Sequence, residues 1–219
     1  MTATLEYHDK IAVLNFGDDE NRFSPDWLET VNTHLTAAHT DAQGLITTAT
    51  GKFYSNGLDL DWLLAHGDRA EWYVDQVHAL FNRILTFPLP TVAAINGHAF
   101  GAAAMLATAH DYRVMRDDRG YFCFPEVDIN IPFTPGMAAL IQAKLSPQTA
   151  VTAMTTGHRY GGPEALTVGI VDDTAPEADV VDAAIGRLSP IIGKSPDTLG
   201  AIKTTMYTAV TAALQQGQN

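Results

Sequence analysis

Apolar and polar positions alternate over residues 5–8 and 11–15, with Asp9 and Lys10 between them, so the chain opens with two short strands joined by a turn. After a polar loop over 17–21, Ser24-Pro25-Asp26 offers a capping residue, a proline at the first helical position and an early acid. Trp27, Leu28, Val31 and Leu35 then recur at helical spacing, which predicts a helix reaching about His39. A strand follows at 45–49, closed by Thr50 and Gly51. Residues 62–65 read as a short helical turn, and 70–86 as a longer helix with Trp72, Val77, Leu80, Phe81 and Ile84 turned inward.

Pro88 and Pro90 stop that helix before a β-branched strand at 91–95. The stretch 96–111 passes through a glycine turn into an alanine-rich helix, and 111–115 and 121–124 return to strand patterning. From Thr134 onward helical signals take over, at 137–145, 147–156, 163–168, 178–188 and 196–215. Alternating strands and helices predict an α/β fold with largely parallel sheets, and the C-terminal third reads as a helical appendage.

Composition narrows the picture. A chain of 219 residues, 46% hydrophobic and 17% charged, is long enough to bury one sizeable core. Apolar runs are all too short to span a membrane, and residues 1–8 lack a basic region followed by an apolar one, so a cytoplasmic protein is expected. A net charge of −12 argues against a nucleic-acid partner, although a local basic patch can still hold an anionic ligand. The single Cys123 sits in an aromatic run and reads as a buried, inert thiol.

Two glycine turns each follow a strand: Ser55-Asn56-Gly57-Leu58-Asp59 and Gly97-His98-Ala99-Phe100-Gly101-Ala102. If adjacent parallel strands deliver both to one end of a sheet, two backbone N–H groups can converge on one oxygen and hold an enolate or tetrahedral oxyanion. The first amides of the helix beginning near Ala102 also favour negative charge. His98, His110 and Ser55 suggest a nucleophile and base, but no nucleophile-elbow pattern accompanies them. Metal ligation is disfavoured too, since the two histidines are too far apart for one helical face and no acid or thiol stands at ligand spacing.

These motifs resemble the crotonase superfamily, the enoyl-CoA hydratases and isomerases. The resemblance runs from Ile11 to Val171 and is most specific from Pro90 through Asn96-Gly97-His98-Ala99-Phe100-Gly101. It implies a ββα spiral core over 1–134, a C-terminal helical trimerisation region over 135–219, a homotrimer or dimer of trimers, and an acyl-CoA substrate with no other cofactor. It places the oxyanion-binding amides at Leu58 and Ala102, a catalytic acid at Glu126 and a structural one at Asp59. CoA contacts fall at Arg22 and Lys52, while Lys203 and Tyr207 lie where the family completes an acyl or nucleotide site.

One departure from the family pattern is informative. Members that add water to a double bond typically carry two glutamates, and the position of the first is Met105 here, with no ionisable residue from Ala103 to Thr108. A single carboxylate suits a proton shuttle, because one group can act as base and then as acid. The expected activity is therefore conversion of 3-enoyl-CoA to 2-enoyl-CoA, within fatty-acid β-oxidation. The alternatives are hydration or another acyl-CoA reaction using Glu126 alone, or acyl-CoA binding without catalysis. Phe122, Phe124, Val127, Ile129, Ile131 and Phe133 flank Glu126, an apolar setting that would raise its pKa.

Overall fold

The computed structural model describes residues 3–216. Residues 1–2 of the N-terminal stretch and 217–219 of the C-terminal region lie outside them. The first elements are β1 (Thr4–His8), β2 (Ile11–Asn15), α1 (Pro25–Asp41), β3 (Gly44–Thr48), β4 (Phe53–Ser55), α2 (Leu60–Ala65) and α3 (Ala70–Leu85). Next come β5 (Thr91–Ile95), β6 (His98–Phe100), α4 (Ala102–Ala109), β7 (Tyr112–Arg116), β8 (Phe122–Cys123) and α5 (Glu126–Ile129). The remainder is α6 (Pro135–Lys144), α7 (Pro147–Thr156), α8 (Gly162–Thr167), β9 (Asp173–Ala175), α9 (Val180–Leu188), α10 (Pro196–Met206) and α11 (Thr208–Leu214).

Strands β1-β2-β3-β5-β7-β9 form one sheet, antiparallel at the β1-β2 hairpin and parallel elsewhere. Both faces of its central strands are covered, so they read as continuous apolar runs. Ile11, Val13, Ile46, Val92 and Val114 pack against Val180, Ala184 and Leu188 of α9. Ala12, Leu14, Leu45, Ala93 and Ile95 face the main core with α1, α3, α4 and α6. A smaller parallel sheet, β4-β6-β8, sits beyond the C-terminal ends of β3, β5 and β7 in the chain path, giving the repeated strand-strand-helix units of a spiral.

Four helices start with one device. Ser24, Thr134, Ser146 and Ser195 accept a hydrogen bond from the third helical amide of α1, α6, α7 and α10, and a proline follows each of them. The Ser24 cap is readable from sequence because it is local chemistry, whereas α6 begins two residues before the expected 137.

Three expectations change. Trp72 is 38% exposed, with the Arg69 guanidinium 4.0 Å from its ring centroid. Its neighbour Tyr73 is the buried ring, because 73, 77, 80, 81 and 84 make the stripe that meets the core. The helix expected over 196–215 is two helices that break at Tyr207, since Lys203 reaches to the Leu89 carbonyl while Val210 and Leu214 are buried in the main core. Strand β9, absent from the sequence pattern, brings the C-terminal third into the main sheet beside β7. Strands β4, β6 and β9 have three residues each, too few to show a period.

Candidate active site

The parallel pairing of β4 with β6 sets the two glycine turns side by side. In the first, the Ser55 hydroxyl donates to the Asn21 carbonyl at 2.7 Å and accepts from the Gly57 amide at 3.0 Å. Gly57 has φ +81°, and a Cβ there would fall 2.6 Å from the Phe100 carbonyl oxygen and 3.1 Å from the Ala102 nitrogen. Only glycine allows this approach. Asp59 caps α2 by accepting from the Trp62 amide at 3.1 Å, while its own amide donates to the Tyr73 hydroxyl at 2.9 Å.

In the second turn Gly101 adopts φ +54°, its amide donates to the Cys123 carbonyl at 3.0 Å, and α4 begins at the next residue. All eight residues of α4 are buried. Among the described residues, neither the Leu58 nor the Ala102 amide has an acceptor, so both N–H groups remain available.

Glu126 opens the one-turn helix α5 rather than ending a strand. The turn is held by amides of Asp128 and Ile129 on the Pro125 carbonyl and by Ile131 on the Glu126 carbonyl, with Asn130 at φ +58° closing it. Glu126 is 8% exposed, and its Oε1 lies 3.3 Å from where a Cβ on Gly101 would sit. Oε2 is buried with no hydrogen-bond partner. Burial pushes the Glu126 pKa up to about 7, against a smaller lowering by its own backbone amide. Of the apolar neighbours in sequence, Phe122 and Phe124 are buried, whereas Val127, Ile129 and Ile131 are exposed.

A cavity of about 330 Å³ joins these groups, with Leu58, Ala102 and Glu126 all on its wall. Two carboxylates line it. Asp61 is paired with Arg22 at 2.7 Å, which leaves Glu126 as the unpaired acid of the lining. Arg22 stands on the cavity wall, with its Nε 2.5 Å from Glu20. Lys52 does not line the cavity; it borders a smaller recess, with its ammonium 5.0 Å from the Phe53 ring centroid.

The polar lining residues that the sequence motifs did not assign to the site are Asn56, Asp61, Cys123 and Arg159. Arg159 is brought in by the bridge between Phe122 and Tyr160, a long-range pairing with no local signal, and its guanidinium lies 5.6 Å from the Phe100 ring centroid. Cys123 donates to the Gly157 carbonyl, and burial raises its pKa to about 11, which keeps it a thiol.

The remaining candidates take structural places. His110 is fully buried between the Leu106 carbonyl and the Thr47 hydroxyl, and burial lowers its pKa to about 3. His98 is held down by burial and by Lys52, Arg119 and Arg159, and Ser55 is wholly inside the first turn. Met105 packs in the main core. No metal-binding cluster of histidine, cysteine or acids occurs among the described residues.

A ββα spiral whose paired glycine turns offer free amides beside a buried carboxylate defines the crotonase class. The Enoyl-CoA hydratase/isomerase family model matches residues 6–219, and the chain belongs to that family. Among its relatives is the peroxisomal enoyl-CoA delta isomerase 2 of Arabidopsis thaliana, 35% identical, with 93% of this chain and 91% of that protein covered. Enoyl-CoA delta isomerase 3 of the same plant is 36% identical over the same shares. Human mitochondrial Δ3-Δ2-enoyl-CoA isomerase superposes with a TM-score of 0.89 at 25% identity, covering 99% of this chain and 88% of that one.

Proposed function

We propose that the protein shifts the double bond of 3-enoyl-CoA to give 2-enoyl-CoA. The observation that carries this reading is one unpaired carboxylate, Glu126, with a pKa near 7, in a cavity shared with the acceptor-free amides of Leu58 and Ala102. The Glu126 carboxylate takes the proton from C2, and the charge that develops on the thioester oxygen is held by the two amides as a dienolate. The same carboxyl group then returns the proton to C4, so no net proton is consumed. A pKa near the working pH suits a group that must both take and give a proton.

Arabidopsis relatives named as enoyl-CoA delta isomerases support the same reaction. Arg22 is the proposed contact for a CoA phosphate, exchanging its exposed partner Asp61 for the substrate. Lys52 serves as a second contact only if the nucleotide extends beyond the cavity to its recess. A homotrimer is the proposed assembly, and it would cover some of the exposed apolar side chains such as Val151 and Leu166. No helix among the described residues is long and apolar enough to cross a membrane, and the cytoplasm is the proposed location, although the Arabidopsis isomerase 2 is peroxisomal.

The test is turnover of trans-3-hexenoyl-CoA, followed by the ultraviolet absorbance of the conjugated product. Glu126→Gln should lower kcat by roughly 10² to 10⁴ while leaving thioester binding nearly unchanged. Binding of 3-enoyl-CoA by the wild type without turnover would sink the proposal. Formation of the 3-hydroxyacyl thioester from 2-enoyl-CoA as the main activity would favour hydration instead.

A further inference from the structure

A second recess, of about 360 Å³, lies at the opposite end of α4. It is bordered by Asp111, just past the helix, whereas the Glu126 cavity meets the helix at Ala102. Eight residues at 1.5 Å each separate the two by roughly 12 Å along the helix axis. No residue lines both. The size is that of a small-molecule pocket rather than a packing defect.

Its charge runs against that of the molecule. In a chain of net charge −12, this recess is lined by Lys144, Lys194 and Lys203 against one carboxylate, Asp111. The Lys203 ammonium is already satisfied, 2.6 Å from Asp111 and 2.8 Å from the Leu89 carbonyl. Lys144 differs, because its ammonium has the Tyr207 hydroxyl at 3.3 Å and no carboxylate partner among the described residues. Burial, with Arg113 and Lys203 nearby, lowers its pKa to about 8, against a partial rise from Asp111 and Asp172, neither of which is within ion-pair distance. The Lys144 ammonium is therefore without a direct carboxylate contact. The facing wall is aliphatic, with Leu199, Ile202 and Met206, of which Ile202 is 50% and Met206 65% exposed.

We propose that this recess binds a short aliphatic monocarboxylate, its head on the Lys144 ammonium and Tyr207 hydroxyl and its chain along Leu199, Ile202 and Met206. One ammonium and one hydroxyl match the two oxygens of a carboxylate. A phosphate dianion fits less well, because Asp111 stands beside the head position. The aliphatic wall gives the ligand its body, which a bare inorganic anion lacks. Binding here is independent of the reaction assigned to Glu126.

Titration of the full-length protein with ¹³C-labelled hexanoate, read by NMR, tests this. Saturable binding is expected with a Kd on the order of 1 mM. Lys144→Met should weaken it about tenfold or more, as should Ile202→Glu, which sets a like charge beside the chain. Hexan-1-ol should bind more weakly than hexanoate, and excess coenzyme A should leave hexanoate in place. Melting temperatures establish that each variant is folded; if Lys144→Met is not, Ile202→Glu decides. The proposal is overturned by absence of saturable binding, by displacement with coenzyme A, or by indifference to the folded variants. Tighter binding of inorganic phosphate or 3′,5′-ADP than of hexanoate, lost in the same variants, overturns it equally.

Discussion

Glu126 carries two opposed consequences of one burial. Its carboxyl group titrates near 7 in the folded chain and near 4.5 when exposed. Between those values the folded state binds more protons than the unfolded one, so this residue's contribution to stability falls as pH rises and levels off above about 7. Glu126→Gln should therefore raise stability above neutral pH by up to about 3 kcal/mol and change little in acid, as read by denaturant unfolding at several pH values. The same titration should appear as an acid limb near pH 7 in kcat/KM of the wild type. At Gly57 the constraint is steric. Gly57→Ala would force a methyl group against the Phe100 carbonyl at positive φ, costing about 2 kcal/mol or more. It should also shift the Leu58 and Ala102 amides relative to each other, with an activity loss of roughly 10²-fold.

Among the elements, α4 is positioned by being buried on every side. Its N-terminus faces the Glu126 cavity, and at its C-terminal end His110 reaches Thr47, whose hydroxyl also meets Tyr54 at 2.7 Å. That network ties the helix to β3 and β4, the strands that deliver the first turn. Helix caps act more locally. Ser24→Ala should cost about 1 kcal/mol by removing one bond to the Trp27 amide. Turnover should be unaffected, because α1 adds no residue to the cavity; thermal unfolding and the hexenoyl-CoA assay check the two halves of that statement.

For the whole molecule, the C-terminal helices are joined to the core rather than appended to it. The Lys203 ammonium of α10 pairs with Asp111, whose carboxylate also accepts from the Thr91 amide at the start of β5. Lys203→Met leaves Asp111 without its counter-charge and should destabilise the protein by about 3 to 5 kcal/mol. Hydrogen exchange should show α10 released, with the Glu126 cavity keeping its protection. His78 forms a second tie, bonding the Leu214 carbonyl of α11 and the Thr134 hydroxyl that caps α6.

The α/β class, the order and approximate bounds of the longer elements, and the positions of the two glycine turns were legible in the amino-acid pattern. Each depends on chemistry within a few residues: the period of apolar positions, a Ser-Pro cap, or a glycine needed for an unusual backbone angle. The same pattern also showed that no acid lies in α4. Tertiary structure decided what depends on distant partners. The three-residue strands exist only because neighbours pair with them, Tyr73 rather than Trp72 is buried because of where α3 meets the core, and Arg159 enters the cavity through a pairing with β8. The pKa of Glu126 belongs to this second group. Apolar neighbours in the sequence pointed the right way, yet the shift comes from burial against the cavity wall, a property of the folded surface that no local pattern encodes.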